Sequence, residues 1–554
     1  MTDTTAYGYT LADRLASTLT PAGTSIQYSR DAAGRISGVT ALPPGTSGAG
    51  TGNVVTAINY LPFGPIASYT LGNGQTITRT YDANYALTDV VSPVLNLHFA
   101  RDAMGNITAL GNAPGANPAT ETYSYDPLYR LTGLTDGNGN VEEAYTYSKT
   151  GDRLSKTASG LATGVYAYQA GTHHLASIGN ASRAYDANGN TMGSVIGGST
   201  FGYGYNGRNR MTVVQRDGST VGTYTYNALG QRTAKVVTFP AANNERFAYD
   251  EAGQSLGEYG NSSRDYVWLG DLPVAVVDTA SGVSSVSYVH SDGLGTPRAV
   301  ADGTGAAVWQ LAYQGNAFGE LLPTSAGSFA YNLRFPGQYY DAESGLNYNV
   351  NRDYEAATGR YIQSDPIGLQ GGLHTYLYTG GSPLNAVDPF GHAAQVYVYG
   401  NYVQIVLPIA YVGSDVDPAM TAQWNQAIED RWSGVFGDLV VSTLVTNGNP
   451  KSKDTNLIHV TAPGQRSLVR YHPNRDAQDS ADWSCGARDS IVAHEAGHLM
   501  GLPDVYVDVP DPSSPVGVYS HAFPGFENDI MGANMDSRPT EEDFIGIINA
   551  INGK

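Results

Sequence analysis

From the N-terminus to about residue 260, short stretches that alternate aromatic or aliphatic residues with polar ones are broken at intervals by Asp, Asn and Gly. Tyr28 to Ile36 reads Tyr-Ser-Arg-Asp-Ala-Ala-Gly-Arg-Ile, and Phe99 to Ile107 reads Phe-Ala-Arg-Asp-Ala-Met-Gly-Asn-Ile. Further copies of this unit lie at Tyr123 to Asp126, Tyr185 to Asn190, Tyr224 to Gly230 and Phe247 to Gly253. Alternation with a period of two predicts half-buried strands. Asp or Asn at the strand end is suited to bond the turning backbone, and Gly supplies the positive φ that a tight turn needs. Each unit therefore reads as a hairpin, and its recurrence predicts a repeat architecture.

After Gly391 the pattern changes. Gln404 to Val412 reads as a strand, Pro418 to Gly434 as an amphipathic helix, and Leu439 to Thr446 and Leu457 to Thr461 as further strands. A helix bearing His494 follows, and Ile545, Ile547, Ile548 and Ile551 predict a closing helix. The chain is thus expected to be mainly β, a long ribbon of hairpins followed by a smaller α+β domain. Its parts are expected at residues 1–330 (repeats), 331–391 (a distinct core segment) and 392–554 (the C-terminal domain).

Composition narrows the function. At 554 residues the chain is too long for one hydrophobic core. Only 14% of residues are charged, while there are 67 Gly and 39 Tyr, which favours turns and half-exposed strands over helical bundles. A net charge of −20 argues against a nucleic-acid partner, because phosphate binding needs clustered Lys and Arg. Cys485 is the single cysteine, so no internal disulfide can form; it reads as a core residue, with a latency role through metal ligation as the less favoured alternative. The first residues have no basic-then-apolar leader, and no apolar run is long enough to span a membrane.

The chemistry concentrates in residues 494–504, His-Glu-Ala-Gly-His-Leu-Met-Gly-Leu-Pro-Asp. On a helix capped by Asp489 or Ser490, His494 and His498 share one face and can ligate one metal ion. Glu495 is placed to take a proton from a water that the cation activates, which is peptide-hydrolysis chemistry. Gly501 and Pro503 end the helix and return Asp504 as a third, carboxylate ligand, a donor set that zinc accepts. Asp529-Ile530-Met531-Gly532 resembles the methionine turn of metzincin-type peptidases, and HExxHxxGxxD resembles those that use Asp as third ligand. No Tyr follows that turn, so Tyr506 and Tyr519 are the weaker candidates for transition-state stabilisation.

The hairpin units resemble the YD repeats of the Rhs and toxin-complex C families, over residues 1 to about 391. His290-Ser291-Asp292-Gly293-Leu294-Gly295-Thr296-Pro297-Arg298 is similar to their HSDxLGTPR signature, and Arg334-Phe335-Pro336-Gly337-Gln338-Tyr339-Tyr340-Asp341 through Gly391 to their core domain. The resemblance implies a ribbon wound into a hollow β-shell. It also implies an aspartyl self-cleavage by the paired Asp365-Pro366-Ile367-Gly368 and Asp388-Pro389-Phe390-Gly391, assisted by Arg352, with the cut near Gly391/His392. Two carboxyls held close can share one proton, so that one acts as acid and the other as base. On residues alone, Asp-Pro-x-Gly reads first as a good turn, and the core signature around it shifts the reading to self-cleavage; His392 stands where the family often has leucine.

The resulting expectation is a polymorphic toxin, made in the bacterial cytoplasm and delivered without a cleavable signal peptide. Its shell would enclose and free a zinc-dependent metalloendopeptidase acting on a target-cell protein. A cognate immunity protein and delivery machinery would be its partners, with no nucleic acid bound and no membrane span. The rival expectations are an adhesion repeat protein with a non-catalytic C-terminal domain, and a toxin of other chemistry such as a deamidase. Metal content separates the first, since an adhesin has no reason to hold stoichiometric zinc.

Overall fold

The computed structural model describes residues 3–391 apart from 12–13, 45–51, 63–64, 159, 252, 367 and 369–373. Beyond 391 it describes the strands and the helix named below, with residues 413, 416–417, Val492 and Ala496. By its internal contacts the chain divides into two compact units, one made of Met1–Pro366 and His374–His392, the other taking in Ala393–Lys554.

In the first unit, a 17-stranded antiparallel sheet runs from Ala6–Tyr9 to Ala181–Ser182. Its strands pair with their chain neighbours, as in Ser25–Arg30 with Ile36–Leu42 and Ala119–Tyr125 with Leu131–Asp136. A 14-stranded sheet of the same kind continues from Ala184–Tyr185 to Thr324–Ser325, so the hairpins extend well beyond the clear repeats.

The turns work as the repeat predicts. Asp102 Oδ1 accepts from the Met104 and Asn106 amides at 3.0 and 2.9 Å, and Gly105 has φ +85°. Asp31, Asp186 and Asp250 accept in the same way from Arg35, Asn190 and Gln254, and Asn227 from Gln231. Asp292 of the HSDGLGTPR stretch is another such turn: its Oδ1 accepts from Leu294 and Thr296, both at 3.0 Å, and Gly295 has φ +86°.

The unit has a second device. The Tyr that ends a strand just before the turn residue donates its hydroxyl to the carbonyl of the first residue of the preceding strand. Tyr125 reaches Ile107 O at 2.7 Å, Tyr205 reaches Thr191 O at 2.7 Å and Tyr249 reaches Arg232 O at 2.9 Å. The aromatic residue two positions earlier turns inward instead, so Tyr123, Tyr203, Tyr224 and Phe247 are all buried. Alternation thus sends one ring to the core and the next to a backbone clamp.

Residues 331–391 form a small four-stranded sheet, Tyr339–Asp341, Leu346–Asn349, Arg352–Glu355 and Arg360–Tyr361, again paired in sequence order. Its polar residues are buried: Asp341, Glu343, Asn349, Arg352 and Asp353 are all at most 5% exposed. Burial at this level requires internal partners. Asp341 provides one, accepting two hydrogen bonds from Arg232 of the second large sheet.

The second unit is α+β. Tyr402–Val412 pairs in parallel with Leu439–Asn447 and with Asn456–Thr461, which pairs in parallel with Ser480–Ser484. Gly434–Phe436 and Leu468–Arg470 add antiparallel strands at the two edges, and Tyr397–Tyr399 pairs antiparallel with Tyr402–Val412. The helix Pro418–Trp432 connects the first parallel pair. Asp417 caps it by accepting from the Ala419 amide at 2.7 Å, and Pro418 occupies the first turn, where no amide donor is needed. Its stripe of Trp424, Ile428 and Trp432, four residues apart, is buried. The strands Tyr402–Val412, Leu439–Asn447 and Asn456–Thr461 and the helix agree with the sequence expectations, with the helix ending two residues earlier than expected; Tyr397–Tyr399, Gly434–Phe436, Leu468–Arg470 and Ser480–Ser484 were not anticipated. The expected closing helix at Ile545–Ile551 lies outside the described residues. Among the described residues no helix is long and apolar enough to cross a membrane.

Candidate active site

The expected zinc ligands His494, His498 and Asp504, the base Glu495 and the turn residue Met531 lie outside the described residues, as do Cys485 and His392. Val492, two residues before the motif, and Ala496, within it, are described; both are helical and fully buried. Tyr506 and Tyr519 fall on the paired strands Tyr506–Pro510 and Val518–Ala522.

Arg352, Asp365 and Asp388, the residues expected to carry self-cleavage, are described, and they converge. Arg352 opens the third strand of the small sheet, and Nη2 of its guanidinium lies 2.9 Å from Asp365 Oδ2 and 3.1 Å from Asp388 Oδ2. The carboxyls therefore meet across the arginine that the family resemblance implied as their assistant, each within reach of the same nitrogen. All three residues are buried, at 3%, 6% and 6% exposure, so these contacts are little screened by water. Arg352 also donates from Nε to the carbonyl of Gly391 and from Nη1 to that of Thr375 at 3.1 Å. Thr375 O in turn accepts from the Asp365 amide at 2.8 Å. One planar guanidinium thus fixes both carboxyls and the last carbonyl of the Asp-Pro-Phe-Gly motif, a fan of bonds that the ammonium of lysine could not reproduce.

Three further residues hold the same segment. Asn349 Nδ2 donates to Asp388 O at 2.8 Å and Asn351 Nδ2 to Phe390 O at 2.9 Å. Tyr361 donates its hydroxyl to Asp388 Oδ2 at 2.7 Å, and its ring lies 3.7 Å below the Arg352 guanidinium. Burial, then the charge of Asp388, raises the Tyr361 pKa well above its ordinary value, so it remains a donor. The sequence reading had missed these residues, although Asn349-Val350-Asn351-Arg352 places two amide side chains beside the arginine it singled out. Gly391 has φ +66°, and a Cβ there would come within 2.4 Å of Asn349 O; only glycine lets the segment lie this close. Gly337 is needed on the other side, where a Cβ would collide with Pro389 O.

Comparison with known proteins agrees with this architecture. Residues 66–370, more than half of the chain, match the family model of the teneurin YD-shell. The chain is 30% identical over 332 residues to double-stranded DNA deaminase toxin A of Burkholderia cenocepacia, an alignment covering 53% of this chain and 22% of the relative. It is 29% identical over 332 residues to toxin protein Tse5 of Pseudomonas aeruginosa, covering 52% of this chain and 25% of the relative. The matched region thus spans a quarter or less of these relatives' own lengths. Among solved structures, the TcdB2–TccC3 crystal structure superposes with a TM-score of 0.57 at 19% identity, covering 70% of this chain and 22% of that one. A likeness at that identity speaks to fold, and the fold is the β-shell. With hairpin units that recur in sequence, pair in order and match along residues 66–370, the chain belongs to the teneurin YD-shell family.

Proposed function

We propose that this chain is an Rhs-type polymorphic toxin that cuts its own backbone after Gly391 and so frees residues 392–554, a zinc-dependent peptidase. The observation that carries the first half is the position of Arg352, which donates to both Asp365 and Asp388 and to the Gly391 carbonyl. The bond from Nε polarises the carbonyl whose peptide is to be broken and stabilises the oxyanion that develops there. One carboxylate takes a proton from the attacking water while the other, protonated, gives one to the departing amine of His392. The products are a Gly391 carboxylate and a new N-terminus at His392, and the shared proton is restored by exchange between the carboxyls.

The second half rests on His494, Glu495, His498 and Asp504. When bound, zinc would supply Lewis-acid polarisation of a peptide carbonyl and an acidified water. His494, His498 and Asp504 would hold it, Met531 would lie in the turn beneath, and Glu495 would carry the proton. An α+β unit, with helical, buried Val492 and Ala496 following its last parallel strand, supports a helix in the required place. The toxin names of the relatives support the toxin role, with delivery machinery and an immunity protein as its partners and delivery into a target cell as its route.

A second reading keeps the toxin and changes the payload. One relative is named as a DNA deaminase, and the family match ends at residue 370, short of the segment Ala393–Lys554. A payload acting on nucleic acid is the form this reading takes, although the HExxHxxGxxD motif favours the peptidase.

Intact mass under denaturing conditions tests the cleavage. The parent chain should appear as two pieces, one ending at Gly391 and the other beginning at His392, and Asp365→Asn or Asp388→Asn should leave one uncut chain. Glu495→Gln should cut normally. A Glu495→Gln protein that stays whole beside a cleaved Asp388→Asn protein would assign processing to the zinc site.

A further inference from the structure

A second cluster of ligating side chains lies in the first unit, apart from both sites above. Asp152 Oδ1 is 2.9 Å from His173 Nδ1 and 3.1 Å from His374 Nε2, and the two imidazole rings are 4.4 Å apart. All three ligand atoms lie within 4.8 Å of one another. The residues come from three separate places: the tight turn Ser148–Asp152, the turn around Gly171–His174, and the segment after the Asp365 motif. Gly151, at φ +96°, lets the first turn approach His374 closely, since a Cβ would stand 3.3 Å from His374 Cδ2.

We propose that Asp152, His173 and His374 form a binding site for a divalent transition metal of the zinc class. One carboxylate and two imidazoles are a donor set that zinc, cobalt and nickel accept. Donors around a tetrahedral ion at about 2.1 Å lie about 3.4 Å apart, so the two carboxylate-to-histidine spacings are already near those required. The protonation states suit the role. Burial, together with the charges of Arg360 and His173, outweighs the bond to Asp152 and pushes the His374 pKa down to about 4, so the ring is neutral near pH 7. Burial alone would raise Asp152, but its bonds with His374 and His173 outweigh that and hold it at about 2, as a carboxylate. The His173 side chain is 24% exposed against 5% for His374, which gives an ion and a completing water a way in.

Two features set the affinity. Arg360 stands near, donating to His173 O at 2.6 Å and lying over the rings of Tyr168 and Tyr376, and its charge opposes a cation. Ligation through Nε2 also requires the proton of His374 to move to Nδ1, which gives up the contact from the Tyr376 amide. At 3.2 Å that contact is at the long end of the hydrogen-bond range and is a weak one to lose. The adjoining residue is Thr375, whose carbonyl bonds Arg352 and the Asp365 amide, so an ion here would tie the two turns of the large sheet to the segment that positions the cleavage residues.

The test uses the full chain carrying His494→Ala and His498→Ala, so that metal held by the proposed peptidase motif is excluded and the two ideas fail separately. After chelation and desalting, zinc chloride is added, and bound metal and melting temperature are measured. About one zinc per chain and a raised melting temperature are expected, because an ion that binds only the folded state stabilises it. Adding His173→Ala, the least buried of the three changes, should abolish both effects while leaving the metal-free melting temperature nearly unchanged. No zinc bound in the starting variant, or an equal melting shift after His173→Ala, would overturn the proposal and leave an ordinary hydrogen-bonded cluster.

Discussion

At the scale of single residues, the proposed cleavage site consists of groups that hold one another in place. Tyr361 contributes a hydrogen bond to a carboxylate oxygen and a ring face to the guanidinium that grips the same carboxylate. Tyr361→Phe keeps the ring and removes the bond. A buried bond to a charged group contributes about 1.5–3 kcal/mol, so self-cleavage should slow by about tenfold to a hundredfold while the chain stays folded. A time course of chain cleavage after refolding reads this directly, and an unchanged rate would remove Tyr361 from the site. Arg352 was visible in the sequence through its family resemblance. Tyr361 and Asn349 were not, because their roles depend on a chain reversal that brings residue 388 back beside residue 349.

At the scale of the hairpin, stability comes from many copies of one small device. Tyr226 donates to the Met211 carbonyl across a strand pair, as Tyr125, Tyr205 and Tyr249 do elsewhere. Tyr226→Phe should cost about 1 kcal/mol, the net contribution of one such bond, seen as a lower denaturant midpoint with an unchanged slope. The HSDGLGTPR hairpin adds a pH dependence. His290 is fully buried, and burial lowers its pKa from 6.5 to about 4. Between those values the unfolded chain binds a proton that the folded chain refuses, so the stability this histidine supports is present above pH 6.5 and is lost as pH falls through 6.5 towards 4. The loss amounts to roughly 3 kcal/mol at most. His290→Gln should flatten this part of a melting-temperature profile, whereas a parallel profile would show that other groups control it.

At the scale of the whole chain, the proposed function assigns self-cleavage to the first unit and the released enzyme to the second. Produced inside a bacterium, the full chain should slow growth, and Glu495→Gln should relieve it because the proton carrier of the peptidase is gone. Growth still slowed by the Glu495→Gln chain would favour the nucleic-acid reading of the payload. Three strands of the C-terminal unit, Tyr402–Val412, Leu439–Asn447 and Asn456–Thr461, were legible in the sequence as apolar runs, and its helix as an amphipathic stretch from Pro418 to Gly434. Their order in the sheet was not, since pairing of Tyr402–Val412 with both Leu439–Asn447 and Asn456–Thr461 joins segments whose separation leaves no local trace.

What local sequence could determine here is whatever depends on neighbours a few residues apart: alternation, the Asp and Gly of each turn, a capping Asp417 before Pro418. Those choices are made by backbone sterics and short-range hydrogen bonds, and they repeat because the unit repeats. The tertiary structure alone decided which distant groups meet. It brought Asp365 and Asp388 to one nitrogen of Arg352, and Asp152 to His173 and His374 across 222 positions of chain. No periodicity encodes such meetings, because they follow from where successive hairpins carry the chain and from the need of each buried charge for a partner.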